Sequence, residues 1–224
     1  MTVPIQLVRH PRARAMRLSV DQAAGTVRLT IPLRAPAGPA LRWAERQHEW
    51  IAKALANRAA PTPFEPGATI LYLGEEVGLG WDSGCPRTPV LDDGQIIAGG
   101  PREGYERRIA RWLRQAALAT LSAETAEYAA LSGVSVSKVA VGDPTGRWGS
   151  CASSGVIRYS WRLILAPPAV RRATVAHEVA HRTHMNHSPA FHALVRTLYG
   201  RDPGPERAWL RANAMRLHSF GRSD

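Results

Sequence analysis

The chain has 224 residues and a mass of 24.4 kDa, enough to bury a core without disulfide staples. Hydrophobic residues make up 45% and charged residues 21%, which excludes a disordered, collagen-like or low-complexity chain. The formal net charge of +11 rests on 27 arginines and two lysines. It implies affinity for polyanions, nonspecific nucleic-acid binding included. An arginine bias beside abundant Ala, Gly and Pro also arises from a GC-rich genome, so composition alone leaves both readings open. No apolar run nears the roughly 20 residues of a membrane span, and residues 1–16 hold no signal-peptide core. Two cysteines, Cys85 and Cys151, cannot build a disulfide framework. These features predict a soluble, cytoplasmic protein with no membrane partner.

The first third reads as β-rich. Residues 5–9 and 15–20 are strand candidates, and Val27, Leu29 and Ile31 alternate with Arg28 and Thr30 as a half-buried strand does. Gly25-Thr26 is the expected turn between two of these strands. Residues 37–59 carry Leu41, Ala44, Ile51 and Leu55, with Trp43 and Trp50, at helical spacing before Pro61 and Pro63. Residues 69–73 and 76–81 flank Gly74 as a hairpin, and residues 88–98 form a second around Asp93-Gly94. Gly99-Gly100-Pro101 is the expected boundary between a β-rich N-terminal lobe with one helix (residues 1–99) and a second, helix-rich domain (residues 100–224).

The second half is helix-rich. Residues 103–131 predict a long amphipathic helix with Ile109, Trp112, Leu113, Ala116 and Leu121 on its face and Gly133 just past its end. Val134, Val136 and Val139 suggest a strand, and residues 155–164 another. Between them a loop over residues 142–146 leads into Arg147-Trp148-Gly149-Ser150-Cys151. Pro167 and Pro168 open a helix running to about His184, with short helices near 188–199 and 205–218. The fold class is α+β.

Five of the eight histidines lie between residues 177 and 192. Their core, His177-Glu178-Val179-Ala180-His181, is a HExxH motif. On a helix, i and i+4 face the same side, so two imidazoles can hold one metal ion. Glu178 then lies beside the metal, placed to accept a proton from an activated water. His187 follows His181 by six residues, the spacing of a third ligand in the motif HExxHxxGxxH. His184 stands where that motif has glycine, and Asn186 is the expected left-handed turn residue instead. Three imidazoles and one open position make a catalytic zinc site. Other readings remain: a closed structural zinc site, a metal-free surface helix, His184 as a competing ligand, or Glu206 as a carboxylate ligand from a later helix. His192 reads as a packing or surface residue.

Three stretches in combination resemble the YgjP-like family of zinc metallopeptidases, related to the SprT-like and wider zincin peptidases. They are Arg147–Cys151, the run Tyr159-Ser160-Trp161-Arg162-Leu163-Ile164-Leu165-Ala166-Pro167, and the HExxH motif followed by Asn186-His187-Ser188-Pro189. The resemblance implies a zincin-like α+β domain, its HExxH helix packed on a small sheet. It implies that His177, His181 and His187 bind Zn2+, that Glu178 is the general base, and that a hairpin of the first two stretches lies along the cleft. The sequence departs from the family at Ser160, often asparagine, and at His192, often aromatic. Arg147 and Trp148 would line the cleft or stack as a structural pair. Cys151 reads as a small buried residue, or else as a thiolate that holds the metal latent.

The resulting expectation is a zinc-dependent hydrolase that cleaves polypeptide. Two rivals stand beside it. One is a metal-dependent nucleoside triphosphate pyrophosphohydrolase, drawing on the many arginines for a triphosphate. The other is a DNA-associated, SprT-like protease acting on partners bound nearby.

Overall fold

The computed structural model describes residues 4–21, 26–56 and 60–222. Gly25 of the expected turn and residues 57–59 of the expected helix lie outside them. The chain forms two compact units, Met1–Ala60 and Pro61–Asp224.

In the first unit, β1 (Ile5–His10), β2 (Arg17–Asp21) and β3 (Thr26–Pro32) form a sheet in the order β1-β3-β2. β3 runs parallel to β1 and antiparallel to β2. The alternation in β3 buries Val27, Leu29 and Ile31 completely. Leu29 and Ile31 pack with Ala40 and Ala44 of α1 (Ala37–Glu45) into a small core. The helical run expected over residues 37–59 is two helices, α1 and α2 (His48–Ala56), broken by a turn at Arg46-Gln47. The break lets α1 cover β1 and β3 while α2 reaches β2.

In the second unit, β4 (Thr69–Tyr72), β5 (Glu75–Trp81), β6 (Val90–Asp92) and β7 (Gln95–Ala98) make a sheet of two hairpins in the order β4-β5-β7-β6. Both hairpins turn on two residues of positive φ, Leu73-Gly74 (54° and 92°) and Asp93-Gly94 (40° and 72°). These are the twist-matched turns that tight hairpins favour. A left-handed leucine costs roughly 1–2 kcal/mol, and docking offsets it: the Leu73 and Gly74 amides donate to the carbonyls of Ile164 (2.8 Å) and Leu165 (3.0 Å). A side chain on Gly74 would strike Pro167, at 2.8 Å from its Cγ.

Helix α3 (Tyr105–Ser132) buries Ile109, Leu113, Ala117 and Leu121 along one face and ends at Gly133, φ 64°. Next, β8 (Lys138–Gly142), β9 (Gly149–Cys151) and β10 (Val156–Ser160) form a sheet ordered β8-β10-β9, with β9 antiparallel to β10. The strand expected over residues 155–164 stops at Ser160, and Trp161–Ile164 coil into a buried 3-10 turn capped by the Ser160 hydroxyl. A continuous apolar run does not distinguish a buried strand from a buried helical turn. Three helices complete the unit: α4 (Pro168–Ala180), α5 (Pro189–Tyr199) and α6 (Gly204–Ser219).

The second unit starts at Pro61, whereas the sequence places the boundary at residues 99–100. Ile70, Leu71, Val77, Leu79 and Ile96 of the β4–β7 sheet share one core with α3, α4 and α5, so Gly99-Gly100 is a turn inside a unit. No helix among the described residues is long and apolar enough to cross a membrane.

Candidate metal centre

Helix α4 opens with Pro168 in its first turn and anchors itself through Val175, Ala176, Val179 and Ala180, all fully buried. This fixed face sets the azimuth of His177, Glu178 and His181. The helix ends at Ala180, earlier than expected, with His181 as its cap. The amides of Arg182 and His184 donate to the carbonyls of Val179 (2.8 Å) and Ala180 (3.0 Å) and turn the chain back. Asn186 does not adopt the expected left-handed conformation; positive φ outside glycine is confined to Leu73 and Asp93 among the described residues. Its Oδ1 instead accepts the Ser188 amide at 3.2 Å. Ser188 caps α5, accepting the Phe191 amide at 3.3 Å, with Pro189 in the first turn. His187 is thus held between a side-chain turn and a helix cap.

The three imidazoles converge. One ligand-capable nitrogen from each of His177, His181 and His187 lies within 4.8 Å of the others. Nε2 of His177 and Nε2 of His187 are 3.2 Å apart. Nδ1 of His181 lies 2.9 Å from the His184 carbonyl, which selects the tautomer with Nδ1 protonated and leaves the Nε2 lone pair free. His184 therefore contributes its backbone to the centre. Burial, with the neighbouring imidazoles second, pulls His177 down to about 4, and burial also lowers His181. Neutral imidazoles are the form a metal needs. The donor set, three convergent imidazole nitrogens, fits a metal ion.

Phe191, fully buried, is the residue the sequence reading missed. Its ring centroid lies 4.8, 4.4 and 4.9 Å from those of His177, His181 and His187 and backs all three. The available signal was its place in the first turn of the helix that follows His187. His192 sits 6.2 Å from His187, ring to ring, outside the converging set. Glu206 is also outside it: its Oε1 accepts from the Tyr199 hydroxyl (2.8 Å) and from Arg201.

Glu178 is 6% exposed. Burial raises its carboxyl to about 7, with the positive charge of Arg147 opposing the rise. Gly149 of β9 lies against it: a Cβ there would stand 2.5 Å from Oε1. The glycine of the Arg147–Cys151 stretch is thus the space the carboxylate occupies. Beside His177 and Glu178 is a cavity of about 200 Å³, walled by Trp148, Gly149, Val195 and Leu210. Trp148 lines it and stacks on His218, ring centroids 5.2 Å apart. Arg147 is exposed. Cys151 lies outside the converging group, and burial pushes its thiol up, away from the thiolate form.

A family model for the YgjP-like metallopeptidase domain matches residues 14–213. The chain belongs to the YgjP-like family. No curated protein and no solved structure matches it. The YgjP-like span contains the HExxH helix, His187, the cavity walls and most of the first unit, so membership covers both compact units. It gives the three-histidine cluster its chemical context: a metallopeptidase domain.

Proposed function

We propose that the protein is a zinc-dependent peptidase of zincin-like architecture, with His177, His181 and His187 holding the ion and Glu178 carrying the proton. The observation that carries this reading is the convergence of three imidazoles within 4.8 Å beside a buried carboxyl raised to about 7. Zinc held there would supply a Lewis acid that polarises the scissile carbonyl and acidifies water. Glu178 takes the proton of the attacking water and returns it to the leaving amine. A carboxyl near neutral pH suits both transfers. The apolar walls Val195 and Leu210 limit competing water, and the fixed face of α4 holds Glu178 in place. β9 is the edge strand of its sheet, so an extended polypeptide can add to it as a further strand.

A second reading has its own observation. Arg147 acts on Glu178 and Arg207 acts on His177, so two guanidinium charges flank the centre. That arrangement also suits a nucleoside triphosphate, with hydrolysis at phosphorus. One incubation separates the two. Zinc-loaded protein is mixed with an unfolded protein pool and nucleoside triphosphates, with Glu178→Gln as the blank. Peptide fragments absent from the blank support the peptidase. Pyrophosphate release absent from the blank, without fragments, sinks it in favour of the nucleotide reading.

A further inference from the structure

The basic charge of this chain is unevenly shared. Residues 1–60 hold ten Lys and Arg against three Asp and Glu, whereas residues 61–224 hold nineteen against fifteen. Both stretches are arginine-rich, so a compositional bias does not account for the imbalance. All five ion pairs among the described residues lie in the second unit.

The sheet of the first unit gives this charge a surface. Ile5 and Leu7, Leu18, and Leu29 and Ile31 pack toward the helices. By alternation, Gln6, Val8 and His10 of β1, Arg17 and Ser19 of β2, and Arg28 and Thr30 of β3 share the opposite face. The register sets Arg28 between Gln6 and Ser19, and Thr30 between Val8 and Arg17. Arg17 and Arg28 are therefore diagonal neighbours, a relation that spans about 7–8 Å. The connection from β1 to β2 adds Arg12 and Arg14. All four arginines are exposed, and among the described residues none of their guanidinium groups has a hydrogen-bond or ion-pair partner. Arg9, by contrast, is committed to the fold, donating to the Ala35 carbonyl at 2.8 Å.

We propose that this open sheet face, with Arg12, Arg14, Arg17 and Arg28, is a docking surface for the phosphate backbone of duplex nucleic acid. Charge complementarity names a polyanion, and the side chains on the face narrow it. The face has no Trp, Tyr or Phe, the stacking platforms that single-strand binders use. Gln6 and Thr30 beside the arginines supply the neutral donors that phosphate contacts also employ. Recognition of this kind reads no base sequence.

The test uses the full chain, with a chelator present so that the histidine cluster plays no part. It is titrated with labelled duplexes of two unrelated sequences. Four phosphate contacts predict a slope of log K against log salt of about −3.6, a loss of roughly 150-fold between about 50 and 200 mM salt. Both duplexes bind alike. Replacing Arg12, Arg14, Arg17 and Arg28 by Gln flattens the slope toward zero, about one unit per arginine. Replacing the same four by Lys keeps binding, which separates lost charge from lost folding. A charge-matched variant of the second unit, with Arg107, Arg111, Arg196 and Arg211 replaced by Gln, changes affinity by less than about threefold. Equal weakening in the two Gln variants overturns the proposal. So does tighter binding to the matching single strand or to phosphatidylserine vesicles, or no duplex binding at the lowest salt.

Discussion

Arg171 and Glu178 lie two turns apart on α4, at 5% and 6% exposure, and they meet their buried charge in opposite ways. The Arg171 guanidinium donates from Nε to both oxygens of Glu124 at 3.1 Å and from Nη2 to Oε1 at 2.9 Å. Glu124 comes from α3 and is itself 7% exposed. The pair neutralises itself and ties two helices together. Glu178 has no hydrogen-bond partner among the described residues, and burial drives its carboxyl up to about 7. The difference separates a charge spent on the fold from a carboxyl left unpaired beside the cavity. Perturbed, unpaired groups beside a cavity mark function, whereas buried ion pairs between helices mark structure.

The largest effect that sharpens this contrast is on rate. Glu178→Gln keeps the side chain's size and removes its proton chemistry, so hydrolysis falls by roughly 10²–10⁴-fold. Metal content and thermal midpoint stay at or above those of the parent, because an unpaired buried carboxyl is a cost to the fold. Retained hydrolysis at full metal content would remove Glu178 from the mechanism. Arg171→Met should show the reverse pattern. It strands Glu124 and lowers unfolding free energy by about 3–5 kcal/mol, while the double change Arg171→Met/Glu124→Leu recovers most of it. Urea unfolding of the metal-free protein reads this, and the activity per folded molecule holds. If the single and double variants are equally unstable, the pair is not what binds α3 to α4.

A smaller effect follows from Gly149, whose space the Glu178 carboxylate fills. Gly149→Ala leaves backbone conformation alone, since the residue is not among the positive-φ glycines. The methyl displaces the carboxylate instead, and hydrolysis drops by roughly 10–100-fold with little loss of stability. Unchanged kcat with altered KM would place the methyl in the substrate's way rather than in that of Glu178.

Most elements were legible because their signals are local. The hairpin at Asp93-Gly94 follows from turn chemistry, α3 from its stripe and terminal glycine, and α4 from paired prolines. Convergence of His177, His181 and His187 followed from i+4 spacing and a third residue beyond the helix end. What stayed hidden depended on partners distant in sequence. Phe191 is an ordinary core residue until the three rings surround it. The left-handed Leu73 is tolerable only because Ile164 accepts its amide. The unit boundary at Ala60 depends on which sheet shares a core with α3, and local composition at Gly99-Gly100 carries no record of that.

Asp143 extends the comparison to a carboxylate that sits between the two extremes. It stands in the loop before β9, 34% exposed, and accepts from Arg162 Nε at 2.7 Å and Nη2 at 3.0 Å. Arg162, 2% exposed, also donates from Nη1 to the carbonyls of Leu217 (2.7 Å) and Phe220 (2.8 Å) at the end of α6. Burial works to raise the Asp143 carboxyl, but the Arg162 contacts outweigh it and hold the group below its ordinary value. A carboxylate lowered in the folded state contributes stability above its unfolded pKa of about 3.9, and the contribution disappears as pH falls through the folded value. Asp143→Asn should therefore cost about 1 kcal/mol at neutral pH, discounted for the partial exposure of the pair. The gap between parent and variant should close as the solution is acidified below about pH 4. A gap that persists at low pH would mean that Asp143 holds the loop by shape and neutral hydrogen bonding. Its likeness to the Glu124 pair would then be one of position only, and Glu178 would remain the carboxyl of the three whose ionisation matters most.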